Sequence, residues 1–185
     1  MKKQLLISAL SFAAILLVNT SVKAQTANVT INLSDVISVN PNSSAGNADG
    51  SGDVLFEYPD DAAYKADQTH SKSDHIIVTS TKAFDVKVQA GGTNFIGEGT
   101  AAGETIPVNV LTLKVNEITS NVGGTATPVV LNGNLQTLIT EAPIGSEKSV
   151  SIDYFIPKEK SSSTDILGKP AGDYKQSVTY TITAH

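Results

Sequence analysis

The 185-residue chain has no cysteine, no tryptophan and no arginine. Without cysteine it can form neither a disulfide nor a thiolate, and a zinc site would have only His70, His75, His185 and carboxylates to draw on. Without arginine it lacks the planar fork that grips phosphate and guanine with two hydrogen bonds. All 13 basic residues are lysines, set against 18 acids. An acidic chain repels nucleic acid and anionic headgroups, so nucleic-acid binding is set aside. Aromatics are only 5% of the residues, which argues against the ring-lined clefts that hold sugar in glycosidases. Carboxylates at Glu57, Asp60, Asp61, Glu98 and Glu104 lie in or beside loops, but no G-x-S-x-G elbow or other catalytic motif accompanies them. The expectation is a protein that is not an enzyme.

What is present begins with a leader. Lys2 and Lys3 precede an apolar run from Leu5 to Val18, and Val22 and Ala24 place small residues at the two positions that direct cleavage. Residues 1–24 read as a secretory signal peptide cut after Ala24, because the run is shorter than the ~18 apolar residues of a membrane span. No cysteine follows to receive a lipid. The mature chain, 25–185, is then 185 − 24 = 161 residues, a single domain's length, with a formal charge of 10 − 18 = −8. It is expected to be exported to the periplasm, outer surface or surroundings of a bacterium, with no membrane span.

The mature chain alternates apolar and polar residues between turn clusters, and nowhere keeps a helical spacing over 11 to 18 residues. Residues 27–33 (ANVTINL) set Val29, Ile31 and Leu33 against Asn28, Thr30 and Asn32, and DVISV continues to Val39. A turn-rich loop fills 40–53, then VLFEY is a short strand stopped by Pro59. Residues 58–74 read as a polar loop with at most one helical turn near 61–66. HIIVTST and AFDVKVQAGG read as two strands, or one kinked at Thr81 and Lys82, with Phe84, Val86 and Val88 inward and Asp85, Lys87 and Gln89 outward. IPVNVLTLKVNEI reads as one long strand in which two alternations compete at Val110 and Leu111, the mark of a bulge. Asn132-Gly133 is a hairpin signal, KSVSIDYFIP a strand, and Val178, Tyr180 and Ile182 form the buried side of a closing strand. The whole is all-β: an antiparallel sandwich of about eight strands.

Two constellations invite a metal. NADGSGD offers Asn47, Asp49, Ser51 and Asp53 at alternate positions, hard oxygen ligands that suit calcium, although Tyr58 stands where an EF-hand loop would place glutamate. His70 and His75 sit among aspartates but lack a placed third ligand, and read as surface histidines. His185 reads as a fraying terminal residue. Calcium at the acidic loop is thus the one candidate ion, and no other cofactor is expected.

Three stretches carry a resemblance: ANVTINLSDVISV, HIIVTSTKAFDVKVQAGG, and Ala171-Gly172-Asp173-Tyr174 followed by SVTYTITA. The ending resembles the A-G-x-Y turn and final strand of the spore coat protein U family and related chaperone-usher pilin-like domains. It is also similar to the ending of WxL surface domains. The chain lacks the tryptophan of the latter and the disulfide common in the former. The resemblance implies an Ig-like, pilin-like sandwich of structural subunits, displayed at the cell surface and sometimes assembled by donating a strand. It implies a last strand inside a sheet, with Gly172 easing a tight turn and Tyr174 packing where the chain enters that strand. The function expected is a secreted or cell-surface structural or adhesion protein that pairs edge strands with itself or other surface subunits through Val29, Ile31 and Leu33. The alternative is a monomeric module that binds peptidoglycan or polysaccharide, with a groove near loops 40–53 and 90–103.

Overall fold

The computed structural model describes residues 30–40, 43–45 and 52–185, and the following concerns those residues. The elements in order are β1 (Ile37–Val39), α1 (Asp61–Tyr64), β2 (Gln68–Ser80), β3 (Phe84–Ala90), β4 (Asn94–Gly97), β5 (Thr105–Pro107) and β6 (Thr112–Val115). There follow β7 (Thr125–Ala126), β8 (Val129–Val130), β9 (Gln136–Ala142), β10 (Gly145–Ile156), α2 (Lys158–Ser161), β11 (Tyr174–Lys175) and β12 (Val178–Ala184). All strand pairs are antiparallel. One sheet has the order β1-β2-β10-β6-β8, a second β12-β3-β9-β7, and a short third β11-β4-β5. The protein is an all-β sandwich. Its strands number twelve where about eight were expected, because five of them, β1, β5, β7, β8 and β11, are only two or three residues long.

The core lies between the first two sheets, and alternation puts it there. On β3, Phe84, Val86 and Val88 are fully buried against Ile76 and Val78 of β2 and Val150 and Ile152 of β10. Bulges then add core residues that alternation alone would turn outward. Between the pairs Val86↔Ile139 and Lys87↔Thr137, β9 advances two residues for one on β3, so Leu138 and Ile139 are both buried. Between Val150↔Ile76 and Ile152↔Lys72, β2 advances four residues for two on β10. Asp74 takes a left-handed φ of 49° there, held by its N–H donating to Ser151 Oγ at 3.2 Å and by a hydrogen bond from Ser149 Oγ to its carboxylate.

Several expectations are corrected by this arrangement. Residues 68–74 are strand, not loop: β2 reaches back to Gln68 because β10 is long enough to pair with it. The supposed long strand from Ile106 is broken by a 3-10 turn, Val108–Val110. The turn buries Val108, Val110 and Leu111 together, which is how the two competing alternations are both satisfied. Asn132-Gly133 does not close a hairpin, since β8 belongs to the first sheet and β9 to the second. The strand β12 is not inside a sheet but at its edge. The single helical turn near 61–66 is α1, whose first turn is capped by Asp60 accepting from the Ala63 N–H at 3.0 Å.

Candidate functional site

The edge position of β12 creates the first site. Ser177 O accepts from the Gly91 N–H and the His185 N–H donates to Ala83 O, each at 2.9 Å. The register between these points is unbroken, so 177, 179, 181, 183 and 185 turn their backbone groups toward β3. Backbone groups alternate sides along an antiparallel strand. Those of Val178, Tyr180 and Ile182 therefore face the unpaired side. Their side chains point inward and line a cleft of about 260 Å³, closed on the other lip by Val39, Ala45 and Ile76. Among the described residues, an edge without a partner strand and half-covered apolar side chains thus lie together along one seam of the sandwich.

A polar chain crosses the sandwich beneath that seam. His75, brought inside by the β2 bulge, is 2% exposed. Its Nδ1 lies 2.8 Å from Ser44 Oγ and its Nε2 2.8 Å from the Tyr154 hydroxyl, which in turn lies 2.6 Å from the Tyr180 hydroxyl. Both tyrosine rings meet the imidazole edge-on, at 5.7 and 5.6 Å. Burial, with a smaller contribution from Lys72, lowers the His75 pKa to about 4, while burial pushes Tyr154 up to about 12 and Tyr180 well above its ordinary value. The group is neutral and joins the β12 edge to the opposite sheet. A serine hydrogen-bonded to a histidine invites a hydrolytic reading, but the nearby Ser44 and Ala45 N–H groups already donate to Asp74 O and His75 O. They are not free to stabilise an oxyanion.

The other predicted residues are dispersed. Ile31 and Leu33 are 78% and 90% exposed; Val29, Asn47, Asp49 and Ser51 lie outside the described residues. Asp53 is exposed, and among the described residues no three His, Cys, Asp or Glu side chains converge on a metal position. His70 is exposed and stacks edge-on with Phe56 at 4.8 Å, but His75 is not the surface histidine its setting suggested. His185 does not fray: its Nε2 lies 2.9 Å from Asp85 Oδ1. Asp85, expected outward, is consequently only 8% exposed, and its carboxyl is lowered by His185 first and by the Glu141 N–H second. A Cβ on Gly172 would stand 2.7 Å from that of Ala101, so glycine is required there by close approach. Tyr174 pairs with Gly97 in the third sheet, and its hydroxyl donates to Pro170 O at 2.9 Å.

A second, larger cleft of about 1120 Å³ runs between residues 53–58 and 169–177, over a floor that includes Ile106, Val110 and Ile156. Phe56, Tyr58, Tyr64, Phe95 and Tyr174 line it, five of the chain's ten aromatic residues. In the sequence these rings stand beside polar neighbours, as the core residues of a strand do. Alternation shows that a ring is turned away from solvent on one face, not what covers it.

Among the described residues no helix is long and apolar enough to cross a membrane. Compared with known proteins, the chain matches no protein-family model, and no curated protein is similar to it in sequence.

Proposed function

We propose that the chain is an exported, non-enzymatic structural or adhesion subunit of a bacterial surface, and that copies join by adding residues 27–33 of one to the β12 edge of the next. The observation that supports this most directly is the cleft beneath a strand whose outer edge is unpaired among the described residues. There Val178, Tyr180 and Ile182 offer backbone groups at the edge and half-buried apolar side chains below it. Upstream, Val29, Ile31 and Leu33 repeat with the same period of two, so one strand can pair its backbone and seat three aliphatic side chains in the same step. Full burial of such side chains contributes about 1.5–3 kcal/mol each. Ile31 and Leu33, exposed within their own copy, have that contribution still to gain.

The test is protein sheared from intact cells and run in detergent gels with and without boiling. A ladder that collapses to one band on boiling is expected, and the double variant Ile31→Asp, Leu33→Asp should run as one band under both conditions. A single monomer band for the unaltered protein would remove the reading.

A further inference from the structure

We infer that the larger cleft binds a chain of neutral hexose sugars, a role independent of strand pairing at β12. The cleft is apolar at its floor and lined by five aromatic residues, and the tips of two of its tyrosines are already occupied. Tyr58 OH is 3.0 Å from Ser161 Oγ, and Tyr174 OH donates to Pro170 O. These two residues therefore present ring surface more than hydroxyl to an occupant. Tyr58 and Tyr64 stack on each other, 4.7 Å apart with a tilt of 32°, which holds both rings in place and leaves each its outer face, and Phe56 makes an edge-on contact with His70. A pyranose has an apolar face of C–H bonds carrying partial positive charge, which stacks on the negative face of an aromatic ring.

Charge selects against the alternatives. The two lysines of the lining are neutralised by their own partners, Lys169 by Glu104 at 3.6 Å and Lys175 by Glu98 at 2.7 Å. The carboxylates of Asp53 and Asp173 also belong to the lining, where they can accept from sugar hydroxyls, and the mature chain's charge of −8 repels anionic polymers. An uncharged, ring-bearing, hydroxyl-rich ligand fits all of these features. The volume, about 1120 Å³, lies just above the ~300–1,000 Å³ of ordinary ligand clefts, which suits several rings in a row better than one.

The experiment titrates the full mature protein with cellohexaose, laminarihexaose and maltohexaose, read by isothermal calorimetry and by tyrosine fluorescence. Saturable binding of at least one hexasaccharide is expected, weakened about tenfold or more by Tyr174→Ala and by Tyr64→Ala. Phe155→Ala should bind as the unaltered protein does, since that ring packs outside the cleft beneath Lys114. Circular dichroism of each variant separates lost binding from lost folding, and Tyr64, on a half-exposed single-turn helix, is the variant that leaves the sandwich intact. No saturation with any of the three sugars overturns the inference, as does binding that Tyr64→Ala leaves unchanged in a folded protein. A variant that no longer ladders, Ile31→Asp with Leu33→Asp, should bind sugar as before; failure of strand pairing and failure of sugar binding are thereby read separately.

Discussion

A neutral imidazole bonded on both nitrogens in a dry interior makes His75 the residue through which acid should act. In the unfolded chain it takes up a proton near 6.5, in the folded chain only near 4. Between those values the unfolded state binds more protons, so stability rises with pH across that window. The contribution is fully present above pH 6.5 and is lost on acidification toward 4; a shift of that size corresponds to about 3 kcal/mol. Urea midpoints measured from pH 7.5 to 4 should fall accordingly. In His75→Leu the slope over this window should flatten while stability at pH 7.5 drops by ~1–3 kcal/mol for each hydroxyl left unpaired. Asp85 acts lower on the scale. Its carboxyl is depressed, so its contribution is present above its ordinary value and lost as pH falls through the folded one. Phe84, fully buried at the start of β3, supplies the packing counterpart: Phe84→Ala should cost about 3–5 kcal/mol by urea unfolding.

At the scale of the element, the consequence lies in which side of β12 each backbone group faces. Thr181 turns its N–H toward β3, whereas Ile182 turns its N–H to the open edge. Proline removes the N–H in either place but not the same hydrogen bond. Thr181→Pro should therefore destabilise the sandwich by several kcal/mol, whereas Ile182→Pro should remain folded and fail to form ladders. Ile182→Ala is the control for the lost side chain and should still ladder, more weakly. A folded Ile182→Pro protein that ladders normally would place the joining edge elsewhere, β7, β8 or β1 being the other margins of the two larger sheets. The bulges belong to this scale too. Without the extra residues near Asp74, His75 would not be turned inside, and the polar link from Ser44 to Tyr180 would have no middle member.

For the molecule as a whole, the reach of sequence reading follows from what alternation encodes. Phe84, Val86 and Val88, and Val150, Ile152, Tyr154 and Ile156, were identifiable as core because side chains of regular strands change face at every residue. Leu138 beside Ile139 was not, because the bulge that resets the phase depends on the partner strand, and at Val110 and Leu111 the competing alternations marked a break without showing that a 3-10 turn buries both. The edge position of β12 was illegible for the same reason: strand order is a fact about neighbours, and Val178, Tyr180 and Ile182 alternate in the same way inside a sheet or at its margin. The five rings of the larger cleft come from segments as far apart as Phe56 and Tyr174, and only the fold brings them together. One prediction tests assembly on this scale. Ile31 and Leu33 stand exposed, and strand addition gives residues 25–33 their packing partner in another copy, so a protein lacking them should fold as the monomeric full-length variant does. Its urea midpoint and slope should match those of the monomeric full-length variant, because the slope follows the surface exposed on unfolding. It should form no ladder. A synthetic peptide of residues 25–33 should then raise its melting temperature in a concentration-dependent way, as any ligand of the folded state does. The same peptide with aspartate at positions 31 and 33 should leave it unmoved. A peptide without effect on a folded truncated protein would show that the exposed aliphatic side chains do not seat at β12, and would leave sugar binding as the activity to pursue.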